Sequence, residues 1–320
     1  MIAATARRYG PPEVMRLETL PDPVPGPGEL LIRVQAFGVT RGDARIRGLD
    51  APRGMGLALR LAFGLTRPRQ PVLGREFAGI VAALGPGVTG WTPGEAVMGI
   101  TPGMRMGAGA EFLTLPTTGL LVRRPETLTA PEAAGFLFGA LSAADFLIDQ
   151  ARLQPGERLL VNGATGAVGL AALRIARHLG ARITAAASPA NHALAVEHGA
   201  EGTHDYHLPP PSGPFDVILD VAGTLPWPRA RPLLAPKGRL CLVTADLAGL
   251  IGATLRPTRG THRLCAAMIR ETPEAVARAL ALHAQGALVP RTTALPLDQI
   301  VEAHRLAGSG HKQGAVTVTF

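Results

Sequence analysis

One short stretch constrains the fold of this chain more than any other: an apolar run broken by glycines three residues apart. The apolar run is Leu159–Asn162, the glycines are Gly163, Gly166 and Gly169, and an apolar helical pattern continues over 170–177. This order predicts a strand, a tight turn and a helix. The three glycines suit three tasks, which are the turn itself, space for a phosphate, and close contact between helix and strand.

The segments that follow repeat the alternation of strand and helix. A second strand is predicted at 182–187, a helix then runs to His198 with Gly199 as its stop, and a further strand is predicted at 216–220. This βαβ rhythm predicts an α/β fold with a doubly wound parallel sheet. The N–H groups that open the first helix, together with its dipole, predict a site for the pyrophosphate of a dinucleotide. An ordinary βαβ turn that binds nothing is the alternative.

The composition argues against several classes of protein. The chain has 320 residues, of which 47% are hydrophobic and 18% charged, and this length suits two globular domains. The net charge of +8 comes from basic residues scattered singly, so we expect no nucleic-acid partner. We see no signal-peptide pattern and no apolar stretch as long as a membrane span, which leads us to expect a cytoplasmic protein. Cys241 and Cys265 lie in apolar sequence and are expected to be buried, reduced thiols.

The N-terminal part of the chain is rich in strand and turn patterns, with strands predicted around 29–39 and 71–81. Residues 40–48 predict a polar turn that leads into a short helix, and Thr129 begins a capping-box pattern for another helix. Residues 49–71 predict an apolar, basic helical excursion. It is too short to span a bilayer, and the two interpretations are a flap over a cleft and a helix on a membrane surface.

Motifs spread over almost the whole chain match one known family in its order. They occupy residues 38–43, 74–79, 163–169, 216–223, 238–240 and 296–305. On these motifs the chain resembles the medium-chain dehydrogenases/reductases, and within them the zinc-independent quinone oxidoreductase and enone reductase branch. The resemblance implies a GroES-like β-rich domain formed by residues 1–125 and 265–320 and a Rossmann domain formed by residues 126–264. It also implies an active site in the cleft between the domains and a homodimeric assembly.

The metal-binding residues of the family are replaced in this sequence. Zinc-dependent members have a cysteine in the loop that matches 39–43 and a histidine where this chain has Arg75. The four-cysteine lobe that binds structural zinc is also missing, and Zn²⁺ needs three or four Cys, His or carboxylate ligands. We therefore expect no metal. The quinone reductase branch often has Asn at position 40, where Thr40 keeps a hydroxyl for the nicotinamide ribose or the substrate.

The nature of the cofactor depends on the residues after the second strand of the dinucleotide unit. An NAD site uses an acidic residue about 20 residues after the glycines to bind the ribose 2′-hydroxyl. Here Ser188, Pro189 and Asn191 follow the strand without an acid. Ser188 would donate a hydrogen bond to a 2′-phosphate, so NADPH is favoured over NADH, although relatives usually have Lys at the position of Asn191. The alternative for Ser188 is a simple helix N-cap.

The candidate site residues follow from the glycine motif and from the resemblance. The candidate catalytic residues are Thr40 and Ser142, and helix packing is the alternative for Ser142. Tyr206 resembles a family residue near the adenine ribose, with strand-end packing as its alternative. The candidate cofactor-binding residues are Gly163, Ala164, Thr165, Gly166, Ala167, Val168, Gly169, Ser188, Tyr206, Ala222, Gly223 and Thr244.

The implied reaction is hydride transfer from NADPH to a small electrophile, either a quinone or the C=C bond of an enone or enal. No residue clearly supplies a proton, and Asp43 in its turn is more simply a cap than an acid. Motifs of serine hydrolases, phosphate-loop proteins and His-Glu-x-x-His metalloproteases are missing. Two alternatives remain: a nucleotide-binding protein of the same fold with a structural or membrane-associated role, and a zinc-free alcohol dehydrogenase.

Overall fold

The computed structural model describes residues 1–103, 105–255, 257–266 and 269–320. The contacts within the chain divide it into two compact units. The first unit contains residues 1–51, 56–138 and 292–320, and the second contains residues 52–55 and 139–291.

The strands are β1 (Ile2–Thr5), β2 (Arg16–Thr19), β3 (Glu29–Gly38), β4 (Glu76–Leu84), β5 (Ala96–Ile100), β6 (Phe112–Pro116), β7 (Leu120–Arg123), β8 (Arg158–Asn162), β9 (Arg182–Ala187), β10 (Gly202–Asp205), β11 (Phe215–Asp220), β12 (Leu234–Leu242), β13 (Thr258–Arg259), β14 (His262–Cys265), β15 (Thr292–Pro296) and β16 (Ala315–Thr319). The α-helices are α1 (Arg41–Gly48), α2 (Gly56–Phe63), α3 (Ala130–Ala134), α4 (Leu137–Ala144), α5 (Ala167–His178), α6 (His192–Glu197), α7 (Trp227–Ala230), α8 (Leu247–Leu255), α9 (Pro273–Ala284) and α10 (Ile300–Ser309).

The first unit is built on a sheet in the order β15-β16-β3-β4-β5-β7, with β6 paired to β3. Its pairs are antiparallel except β15 with β16. Apolar side chains such as Leu30, Ile32 and Phe77 are fully buried in its core. Short strands and turns therefore meet in one hydrophobic core, as the N-terminal sequence pattern predicts.

The second unit is built on a sheet in the order β10-β9-β8-β11-β12-β14-β13. All neighbours are parallel except the β13–β14 pair. Leu159, Leu160 and Val161 on the central strand are all 0% exposed, because helices cover both faces of a parallel sheet. The predicted α/β fold class with a doubly wound parallel sheet is confirmed.

The contacts divide the chain at 138/139 and 291/292, whereas the domains implied by the resemblance divide at 125/126 and 264/265 and stay a prediction. Packing explains the first shift. A Cβ on Gly38 would lie 2.7 Å from the Ala134 carbonyl oxygen, so α3 lies against β3 in the first unit. An ion pair explains the second. Arg278 on α9 binds both carboxylate oxygens of Asp149 at 2.9 and 2.6 Å within the second unit.

The excursion at 49–71 contains α2, and its apolar side chains are unusually exposed. Leu57 and Leu61 are 69% and 55% exposed, whereas Phe63 packs against the core of the first unit. The Tyr9 hydroxyl donates to the Gly64 carbonyl oxygen at 2.7 Å and holds the end of the helix. Among the described residues, no helix combines the length and the apolar character needed to cross a membrane. The choice between a flap and a membrane-surface helix stays a prediction.

Candidate dinucleotide-binding site

The three glycines of the turn between β8 and α5 have three different environments. Gly163 has a φ of +85°, a conformation that side chains disfavour. A Cβ on Gly166 would have no neighbouring atom within 4 Å, whereas a Cβ on Gly169 would lie 2.3 Å from the Gly163 carbonyl oxygen. Gly163 thus makes the turn, Gly166 leaves space, and Gly169 allows the helix to approach the strand.

The N-terminus of α5 has no side-chain cap. Gly166 is its N-cap residue and carries no side chain that could accept from the first N–H groups. Unpaired N–H groups at the start of a helix form an anion site, because they combine with the positive end of the helix dipole. Ala167, Val168 and Gly169 present these groups beside the open space at Gly166.

Ser188 directly follows β9, the neighbour of β8. The N–H groups of Gly163 and Ala164 donate to the Ala186 carbonyl oxygen at 3.2 and 3.1 Å, which ties the glycine turn to the end of β9. Ser188 is the N-cap residue of a short 3-10 helix, Pro189–Asn191, but its side chain makes no capping hydrogen bond. The hydroxyl therefore does not serve as the cap that the alternative interpretation requires.

Asn191 occupies the position at which relatives usually have Lys. It is buried, at 9% exposure, and its Nδ2 lies 3.5 Å from the Thr165 hydroxyl oxygen in the glycine turn. The side chain thus contacts the glycine turn and brings no positive charge to the end of β9.

A hydrogen-bond network organises the carboxyl end of β11. Asp220 accepts from the N–H groups of Gly223 and Leu225 at 2.9 and 2.8 Å and from Asn162 Nδ2 at 2.7 Å. Burial raises the pKa of the Asp220 carboxyl, while these hydrogen bonds oppose the shift. The network shapes the loop after Asp220 and links it to the end of β8. Sequence reasoning missed both side chains, and the available signal was a polar residue at the last position of each apolar strand.

The loop after β11 lies close to the glycine turn and to the end of β12. A Cβ on Gly163 would lie 3.1 Å from the Ala222 nitrogen, and a Cβ on Gly223 would lie 3.3 Å from the Thr244 side chain. Ala222 and Gly223 are exposed, and so is Tyr206 at 41%, just after β10.

The predicted cofactor residues therefore form one row along the sheet. The strand order β10, β9, β8, β11, β12 brings Tyr206, Ser188, the glycine turn, Ala222 with Gly223, and Thr244 to consecutive carboxyl ends. In open α/β sheets, ligands bind at this edge.

The two candidate catalytic residues have different surroundings. Ser142 lies on α4 and is only 1% exposed, so its hydroxyl is part of a packed helix surface. Thr40 belongs to the first unit and is the N-cap residue of α1. Its hydroxyl accepts from the Asp43 N–H at 3.2 Å and donates to the Asp43 carboxylate at 2.6 Å. Asp43 is therefore a cap, as its position in the sequence predicts.

A buried acid, Glu76, and a half-buried base, Lys312, lie near this cap in the first unit, and sequence reasoning missed both. Glu76 is 3% exposed, accepts from the Phe138 N–H at 2.8 Å, and has its pKa raised to about 8, chiefly by burial. Burial lowers the pKa of Lys312, and the charges of Glu76 and Asp43 oppose that shift. The neighbouring Arg75, at the position of the family's histidine, donates from Nη2 to the Thr101 carbonyl oxygen at 2.6 Å.

Together, the parallel sheet and its glycine turn define a dehydrogenase-type nucleotide fold, accompanied by a separate β-rich unit. Sequence comparison agrees with this class. The sequence model of the alcohol dehydrogenase GroES-like domain matches residues 26–126, and that of the zinc-binding dehydrogenases matches residues 198–318. The chain belongs to the medium-chain dehydrogenase/reductase superfamily, in its quinone oxidoreductase-like branch. Within the described ranges, no group of three or more His, Cys, Asp or Glu side chains is placed to hold a metal ion.

Individual relatives support this membership. The synaptic vesicle membrane protein VAT-1 homolog of Rattus norvegicus is 32% identical over 256 residues, covering 76% of this chain and 58% of that protein. The chain thus matches less than two thirds of that relative. The quinone oxidoreductase of Coxiella burnetii superposes with a TM-score of 0.88 at 25% identity, over 100% of this chain and 99% of that chain. The mycobacterial protein Rv1454c, solved with NADPH, superposes with a TM-score of 0.79 at 25% identity, over 100% of each chain.

Proposed function

We propose that this protein is an oxidoreductase that uses NADPH to reduce a small electrophile, either a quinone or the C=C bond of an enone or enal. The row of residues at the carboxyl edge of the second unit's sheet carries this proposal. A glycine turn with open space at Gly166, an uncapped helix N-terminus and a serine where NAD sites have an acid are arranged side by side.

The residues present fit NADPH. The N–H groups at the start of α5 would hold the pyrophosphate, and a side chain at Gly166 would fill that space. Ser188 would donate to the 2′-phosphate, since no carboxylate within 186–192 would repel it. Tyr206, Ala222, Gly223 and Thr244 would line the rest of the dinucleotide. The NADPH complex of Rv1454c supports this choice of cofactor.

When bound, NADPH supplies the hydride, and the protein supplies orientation and polar groups. We assign Thr40 and Ser142 to contacts with the nicotinamide or the substrate. The Thr40 hydroxyl already donates to Asp43, so it would use its remaining lone pair as an acceptor or exchange that bond for one to a ligand. Asp43 therefore sets the orientation in which Thr40 meets a ligand. We further propose a homodimer, on the family resemblance, and a cytoplasmic location, on the two free, buried cysteines.

A second candidate is a nucleotide-binding protein without turnover that associates with membranes. The exposed leucines of α2 and the similarity to a protein named for synaptic vesicle membranes favour it. Both candidates need the dinucleotide site, so turnover separates them.

The first experiment is a fluorescence titration with NADPH and NADH, followed by NADPH oxidation with a benzoquinone and a simple enone as acceptors. We expect tighter binding of NADPH, weakened by Ser188→Asp and preserved by the matched Ser188→Thr, with turnover of one acceptor. Binding without turnover would favour the second candidate. If neither nucleotide binds, the dinucleotide site itself is refuted.

A further inference from the structure

A pocket of about 440 Å³ lies in the first unit beside α1, and no part of the proposed function uses it. This volume falls within the range of small-molecule sites. The residues that matter for its chemistry are Gly10, Arg41, Arg45, Arg47, Asp50 and Gly308. Three arginines from one short helix thus line a single concave surface.

Two of these arginines also form the walls of the pocket. Arg41 donates from Nη1 to the Gly308 carbonyl oxygen at 2.9 Å, which joins α1 to the end of α10. Arg47 donates from Nη1 to the Gly10 carbonyl oxygen. These bonds fix the two guanidinium groups in place and leave most of their N–H groups for other partners.

Two of the lining arginines, Arg45 and Arg47, have side-chain N–H groups without a hydrogen-bond partner among the described residues. Arg47 is only 5% exposed, and its buried Nε has no hydrogen-bond partner among the described residues. The half-buried Arg45 guanidinium makes no hydrogen bond to any described part of the chain, and its charged neighbours are Arg41 and Asp50. Buried donors without acceptors are rare in native proteins, because each has lost its hydrogen bonds to water without gaining a replacement.

The charge of the pocket indicates the kind of ligand that would satisfy these donors. The lining residues include three arginines and one carboxylate, Asp50, so their formal charge is +2 (three minus one). Burial and the nearby charge of Arg41 lower the pKa of Arg45, so an added anion would stabilise its charged form. A phosphate group carries about −1.5 to −2 charges at neutral pH and matches this value better than a single carboxylate. The planar fork of guanidinium is also well suited to phosphate oxygens.

We propose that this pocket binds a phosphate group, with Arg45 and Arg47 as its main ligands and Arg41 closing the site. The phosphate would belong either to a small phosphate monoester or to a lipid headgroup, since both present the same terminal chemistry. The proposal does not depend on the dinucleotide site, because every residue involved belongs to the first unit.

The test is calorimetric titration of the full chain with glycerol 3-phosphate, comparing wild type with Arg45→Gln. The matched control is Arg33→Gln, which removes an exposed arginine from β3 in the same unit. We expect Arg45→Gln to weaken binding about tenfold or more, as for loss of a charge-assisted contact, and Arg33→Gln to leave it unchanged. Any phosphate bound at the dinucleotide site appears equally in all three proteins.

Two further arms complete the test. Asp50→Asn removes the only carboxylate among the lining residues without disturbing a buried group, so it should tighten binding several-fold even if Arg45→Gln folds poorly. Sedimentation with vesicles of phosphatidylcholine, with or without phosphatidic acid, identifies the source of the phosphate. Arg45-dependent binding to the acidic vesicles alone assigns a lipid headgroup, and binding of the monoester assigns a soluble ligand. If neither probe binds in a way that depends on Arg45 and Asp50, the proposal is wrong.

Discussion

The Asp43 carboxylate accepts hydrogen bonds from both the backbone N–H and the hydroxyl of Thr40, at 2.8 and 2.6 Å. Its other oxygen accepts from the Gly74 N–H at 3.0 Å. One buried carboxylate therefore fixes the start of α1 and the segment before β4 at the same time. The residue proposed to meet the ligand is thus held in place by the capping box at the start of α1.

This relationship predicts different effects for two substitutions of Thr40. Thr40→Ser keeps the hydroxyl and should change neither stability nor kcat/KM by much. Thr40→Val removes the cap and should lower the free energy of unfolding by about 1 kcal/mol, as capping substitutions do. If the hydroxyl also meets the ligand, kcat/KM with the quinone should fall as well, which steady-state kinetics would measure.

Thr129→Val is the matched control for this pair. Thr129 and Glu132 form a capping box at α3 with the same pattern, in which the carboxylate accepts at 2.9 and 2.6 Å. The Thr129 variant should lose similar stability and keep its kinetic constants. Equal losses of kcat/KM in both variants would show that Thr40 acts only through folding.

Gly166→Ala should weaken cofactor binding without lowering the stability of the fold. The backbone of Gly166 has a φ of −78°, which alanine adopts without strain, and the new Cβ would enter open space. We expect an unchanged or slightly raised melting temperature, because alanine restricts the unfolded chain. NADPH binding should weaken about tenfold or more, because the methyl group occupies the space of the pyrophosphate.

Gly169→Ala is the contrasting variant in the same turn. Its Cβ would lie 2.3 Å from the Gly163 carbonyl oxygen, so the helix must move away from the strand. Thermal unfolding should show a clear loss of stability for this variant. A normal NADPH affinity in Gly166→Ala would argue against a phosphate at that position.

Glu76 should make the protein less stable as the pH rises. Its pKa is raised from 4.5 to about 8 in the folded chain, so between these values the folded state holds a proton that the unfolded state has lost. Stability therefore falls across this window, by at most about 1.4 kcal/mol per pH unit. The charged neighbours of the Glu76 carboxyl are Asp43, Arg75 and Lys312. The variant Glu76→Gln leaves these neighbours unchanged and keeps an oxygen that accepts from the Phe138 N–H.

Urea unfolding of wild type and Glu76→Gln at several pH values between 5 and 8 would measure this effect. The variant should gain on the order of 2 kcal/mol or more relative to wild type across that range. Parallel stability curves for the two proteins would contradict the raised pKa.

His304 should act in the opposite direction, at acidic pH. It is 1% exposed, and burial together with the charge of Arg47 lowers its pKa from 6.5 to about 3. Below pH 6.5 the unfolded state binds a proton at His304 that the folded state does not bind. The free energy of unfolding therefore decreases as the pH falls toward 3. His304→Gln should remove this loss, gaining about 2 kcal/mol relative to wild type by pH 5.

Equilibrium unfolding of this variant beside His311→Gln provides the comparison. His311 is exposed, so its substitution should leave the pH dependence of stability unchanged. The prediction fails if the two histidine variants show the same pH dependence.

The sequence alone determined the features that depend on neighbouring residues. The glycine spacing at Gly163, Gly166 and Gly169 dictated a turn and a close helix contact, because backbone conformation and the size of a side chain are local properties. The capping boxes at Thr40 and Thr129 are likewise local, since donor and acceptor lie three residues apart. Alternating and continuous apolar runs were enough to indicate the α/β class and the order of the strands in the chain.

The tertiary structure decided what depends on residues far apart in the chain. The Asn162–Asp220 hydrogen bond, the shifted pKa values of Glu76 and Lys312, and the pocket lined by Arg45, Gly10 and Gly308 all require elements that only packing brings together. The assignment of α3 and α9 to their units also depends on packing, because contacts with Gly38 and Asp149 decided it and not the local sequence pattern. Periodicity specifies which face of an element is buried, whereas the partner of that face is chosen by the packing of the whole unit.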